Sequence, residues 1–104
     1  MSAAANPVRG EAGVRIAGET LVLRPSFQAL VAAEGELGPL FALAERAGAG
    51  RLGLGEMIAL FWHCRHDAPD TLTRETLGEA VVTGGIATAT PALRVLLTQI
   101  LAGR

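Results

Sequence analysis

A chain of 104 residues with nine basic and ten acidic side chains carries a formal net charge of −1, and every one of its basic residues is an arginine. Balanced and scattered charge excludes the basic patch that a nucleic-acid grip needs to displace counterions from phosphates, and a single cysteine, Cys64, excludes an internal disulfide framework. No apolar run approaches the ~18 to 20 residues that span a bilayer, and the stretch Met1 to Asn6 lacks the apolar core of a signal peptide, so the expected location is the cytoplasm, without a membrane.

Half of the residues are hydrophobic, yet there are only three phenylalanines, one tryptophan and no tyrosine. Aliphatic and alanine-rich composition of this kind favours packed helices over an aromatic-rich sandwich. At this length one hydrophobic core is the natural limit, so residues 8–104 are expected to form a single domain behind a flexible tail over residues 1–7.

The first periodic stretch alternates with period two. Val14 and Ile16 alternate with Gly13, Arg15 and Ala17, and Leu21 and Leu23 alternate with Val22 and Arg24. Between them Ala17-Gly18-Glu19 supplies a glycine for a tight turn, which predicts a β-hairpin over about Glu11 to Arg24. Pro25 ends the hairpin and Ser26 caps a helix with Phe27, Leu30 and Val31 at helical spacing, stopped by Gly35 and Gly38.

A second helix starts near Pro39, with Leu40, Phe41, Leu43, Ala44 and Ala47 as its buried candidates. The third, from about Leu54 to Arg65, is apolar nearly all round and is expected to be central. After the loop Ala68-Pro69-Asp70, either Asp70 or Thr73 caps a weaker helix carrying Leu77, Ala80 and Val81, ended by Gly84-Gly85. Thr90-Pro91 predicts the start of a last helix with Leu93, Leu96, Leu97, Ile100 and Leu101 on one stripe, and Arg104 complements its dipole. The fold class is therefore α+β and mostly helical, an N-terminal β-hairpin followed by four or five short packed helices. A lone hairpin is marginal in water, so it lies on the helices or pairs with another chain through its edge.

One cluster merits weighing as a chemical site. His63, Cys64, His66 and Asp67 fall within five residues and gather both histidines and the only cysteine. A structural zinc centre would need further cysteine or histidine ligands, and the sequence has none, although a catalytic centre with three ligands stays formally open. The simpler reading makes Cys64 a small buried hydrophobe and His63, Arg65, His66 and Asp67 the polar exit of the third helix. No phosphate-binding or dinucleotide glycine pattern is present. Neither catalytic residues nor a cofactor are expected.

The order of features resembles a known family. Asn6-Pro7, Arg9-Gly10-Glu11, Ile16-Ala17-Gly18, the run Leu21 to Pro25, Phe27, Ala29-Leu30 and Glu34 are similar to the start of the gene transfer agent family of phage tail assembly chaperones, also described as tail-tube-associated proteins. Leu43-Ala44-Glu45-Arg46, Gly50-Arg51-Leu52 and Leu96-Leu97 resemble its later helices, whereas Trp62 to Asp67 departs from the glycine- and leucine-rich run expected there. The resemblance implies a non-enzymatic factor that binds the tape measure protein, with the tail tube protein as a further candidate partner, during assembly of a phage or gene transfer agent tail. The alternatives are a structural tail component, such as a tube or terminator subunit, and a metal-binding enzyme or sensor built on the histidine cluster. Arg15 and Val22 at the hairpin edge, with Trp62 and Val95 off the main stripes of their helices, are the candidate partner contacts. Self-association is left open.

Overall fold

In the computed structural model, which describes residues 11–103, the period-two alternation builds two antiparallel strands, β1 (Ala12–Ile16) and β2 (Glu19–Leu23). Ile16 pairs with Glu19, which leaves only Ala17 and Gly18 to make the turn. Both have positive φ, 50° and 83°, the left-handed geometry whose twist matches that of the flanking strands. Gly18 adopts it freely, whereas Ala17 does so against its Cβ. The expected tail, the motif Asn6-Pro7 and Arg104 lie outside the described residues.

Strand pairing does not stop at the hairpin. A two-residue strand, β3 (Arg65–His66), pairs with Val22 and Leu23, giving the order β1-β2-β3. The expectation that Val22 marks an open edge is therefore corrected. Its strand is the middle one, and Val22 itself is only 2% exposed. Ala12, Val14, Leu21 and Leu23 enter the core, and β1 packs on the two C-terminal helices, which resolves how so small a sheet is held.

Five helices follow the hairpin: α1 (Phe27–Leu37), α2 (Leu40–Gly48), α3 (Leu54–Cys64), α4 (Arg74–Gly84) and α5 (Ile86–Ala102). Ser26 caps α1 by accepting from the Ala29 amide at 3.2 Å, and Gly38 ends it at φ 85°. Pro39 cannot serve the first amides of α2, and Glu34 reaches across to accept from the Leu40 amide at 3.0 Å. Glu56 folds back on the Gly53 amide at 2.9 Å to close the start of α3 and also receives Arg46 from α2 at 2.8 Å. Thr73, not Asp70, caps α4 in a reciprocal arrangement with Thr76.

Helix α3 is central, as its composition predicts. Six of its eleven residues are buried, Phe61 and Leu60 completely, and the core cluster spreads from it to Leu43, Leu77 and Leu96. Two expected helix faces are corrected. In α1 the buried residue is Ala33, while Phe27 is 85% and Val31 51% exposed; in α2 Leu40 and Leu43 are buried but Phe41 is 75% exposed. The start of α5 is corrected as well. It begins at Ile86 immediately after Gly85, so Thr90-Pro91 lies inside the helix and not at its cap. Thr88 Oγ1 donates to the Gly85 carbonyl at 2.6 Å, which closes the early turn.

Among the described residues no single helix is long and apolar enough to cross a membrane; α4 and α5 together have the composition, but they meet at 117° and bury Leu77, Val81 and Leu96 in the core.

Candidate functional site

The backbone divides the histidine cluster, burying Cys64 and leaving His63, His66 and Asp67 on the lining of one cleft. His63, in the last turn of α3, has Nε2 2.8 Å from Glu36 Oε1 on α1, and Arg74 of α4 donates to the other oxygen of Glu36 at 2.6 Å. Glu36 thus joins three helices. The hydrogen bond from Arg74, with that of His63, holds its carboxyl down at about 2.

Cys64, next to His63 on the helix, faces the core. It is 1% exposed, and burial pushes its thiol up to about 12, so it carries no thiolate character at neutral pH. Its carbonyl accepts from the Arg24 amide at 2.7 Å and so links α3 to the end of β2. His66 belongs to β3, opposite Val22, with Nε2 3.6 Å from Asp67 Oδ2, and Asp67 takes a left-handed φ of 52°. Among the described residues no three histidine, cysteine, aspartate or glutamate side chains are grouped to hold a metal ion. Of the four residues weighed as ligands, Cys64 is turned into the core, and His63, His66 and Asp67, although they line one cleft, are not grouped as a ligand set.

Trp62 opens onto the same cleft, of about 690 Å³, between the start of α1, the end of α3 and the loop into α4, lined also by Arg24, Ser26, His63, His66, Asp67 and Asp70. The Arg65 guanidinium lies 3.6 Å from the Trp62 ring centroid and donates to the Trp62 carbonyl at 2.7 Å, which pins both side chains. Arg24 is engaged through Nε and Nη2, at 2.8 and 2.6 Å, with the buried carboxylate of Glu11. Ser26, also on the cleft, has its Oγ engaged by the Ala29 amide at 3.2 Å. Of the expected partner contacts the cleft takes in Trp62 alone: Arg15 is exposed at the hairpin and donates to the Gly18 carbonyl at 2.8 Å, Val22 is buried, and Val95 is 40% exposed on α5.

The surface that sequence reasoning placed inside is the apolar one. Phe41, Ala44, Glu45 and Leu101 line an open hollow of about 480 Å³ between α2 and the end of α5. A second, of about 260 Å³, lies between the end of α2 and the start of α5 and includes Leu54, Met57, Ile86 and Leu93. With Phe27 and Val31 on α1, these put large apolar side chains on the outside of a small domain. The signal available in sequence was the alanine pattern: Ala33 is the buried residue of α1, and Ala89 and Ala92 share the buried face of α5 with Leu96.

No curated protein and no solved structure matches this chain. A family model described as phage tail tube protein, GTA-gp10, matches residues 9–103, nearly the whole sequence, and the chain belongs to that family.

Proposed function

We propose that this chain is a structural, non-catalytic component of the tail tube in a phage or gene transfer agent particle, made and assembled in the cytoplasm. The family match over residues 9–103 carries the reading. One feature of the molecule supports it: the exposure of Phe27 and Phe41, at 85% and 75%, which is costly in an isolated domain and suits a protein that works in contact with others.

A second reading keeps the same setting but makes the chain an assembly chaperone for the tape measure protein. It is favoured by the two open hollows along α2 and α5, whose apolar linings suit the side chains of an amphipathic helix. Co-expression with the tail tube and tape measure proteins of the same locus, followed by size exclusion with light scattering, tests both. Rings or tubes containing the chain support the structural role. A complex of defined mass with the tape measure protein alone supports the chaperone, and failure to bind any tail protein defeats both.

A further inference from the structure

The α2–α5 surface is self-complementary in charge as well as apolar. Glu45 stands at the rim of the hollow formed by Phe41, Ala44 and Leu101. Arg94 precedes Leu101 by seven residues on α5, so it returns to within about 20° of the same side of the helix and lies about 10 Å along its axis. Glu45 and Arg94 have no ion-pair partner among the described residues, in contrast to Glu36, Glu56 and Glu11, each of which is held by an arginine. One strip of surface therefore carries a free carboxylate beside Leu101 at one end and a free guanidinium at the other, with 75% of Phe41 and 51% of Leu101 open to solvent between and around them.

We propose that the occupant of this surface is a second copy of the chain, docked about a two-fold axis with the two α5 helices antiparallel. Antiparallel docking centred between positions 94 and 101 sets Leu101 of each copy against Arg94 of the other. Because Glu45 adjoins Leu101, each Glu45 meets the second copy's Arg94, and the pair occurs twice. A two-fold contact of this kind covers the Phe41 and Leu101 side chains of both copies. The inference does not rest on the tail-tube role, but it claims the hollow beside Leu101 that the chaperone reading gives to an amphipathic helix, so a dimer through this surface counts against that second reading.

The test uses the full chain and exposed positions, so that folding is not at issue. Wild-type protein examined by sedimentation velocity across the micromolar range should show a reversible monomer–dimer equilibrium. Glu45→Arg and Arg94→Glu each turn two attractions into two repulsions and should each weaken the dimer about tenfold or more. Mixing the two single variants should restore a species of two chains, because in the mixed dimer both pairs are again of opposite sign. A wild-type chain that stays monomeric, a dimer indifferent to either reversal, a mixture that fails to recover, or an assembly larger than two chains overturns the proposal.

Discussion

Phe61 and Phe27 have the same side chain in opposite surroundings, which makes the pair a direct measure of where the core lies. Phe61 is 0% exposed in the centre of α3, whereas Phe27 is 85% exposed at the start of α1. Phe61→Ala removes a fully buried ring and leaves a cavity that the neighbouring helices close only in part, at a cost of about 3–5 kcal/mol. For a domain of this length each kcal/mol moves the melting midpoint by about 4–8 °C, so the variant should melt at least about 12 °C below wild type. Phe27→Ala removes a ring already in water and substitutes a better helix former, so it should stay within about 0.5 kcal/mol of wild type. Thermal unfolding followed by circular dichroism at low micromolar concentration reads both. Should the Phe61 variant fail to fold at all, Leu60→Ala, at another fully buried position of α3, gives a second reading of the same core. Equal losses at Phe27 and Phe61, or a larger loss at Phe27, would refute the assignment of α1's outer face.

Three further outcomes follow from named contacts. Glu36 has its folded value lowered from 4.5 to about 2, so the stability it contributes is complete above pH 4.5 and is lost as the pH falls toward 2; urea midpoints of wild type and Glu36→Gln should converge across that window, and a constant gap would contradict the bridge. Cys64, buried and raised to about 12, should react with an aromatic disulfide reagent at pH 8 at least about a hundredfold more slowly in the folded chain than in urea; equal rates would place it at the surface. At the hairpin turn, Gly18→Ala forces a Cβ onto a φ of 83° and should cost roughly 1–2 kcal/mol, while Ala17→Asn, better suited to a φ of 50°, should raise the urea midpoint.

The parts of the fold legible from sequence are those set by local rules. Alternation from Val14 to Leu23 with Ala17-Gly18 between defines the hairpin, and the nearly all-apolar run from Met57 to Trp62 defines the central helix. Tertiary context decided the rest. Arg65-His66 has no strand signature, and it pairs only because the end of α3 brings it beside Val22 and Leu23. Phe27 and Phe41 read as core by type, yet their helices approach neighbours through smaller or branched residues, Ala33 and Leu43. Pro91 suggested a helix start, but the positive φ of Gly85 and the Thr88 hydroxyl began α5 one turn earlier. Of the candidate contacts, Arg15, Trp62 and Val95 are scattered over three elements and Val22 is interior, because off-stripe position on a single element carries no information about which surfaces adjoin.

The central claim is that the chain is built into the tail tube, and the most direct test is its copy number in finished particles. Quantitative mass spectrometry of purified particles, with isotope-labelled peptides from this chain and from the other tail proteins of its locus, should find it in many copies, in fixed proportion to tail length. Its absence from finished particles, with abundance in the producing cells, would contradict the structural reading and leave the assembly role in its place.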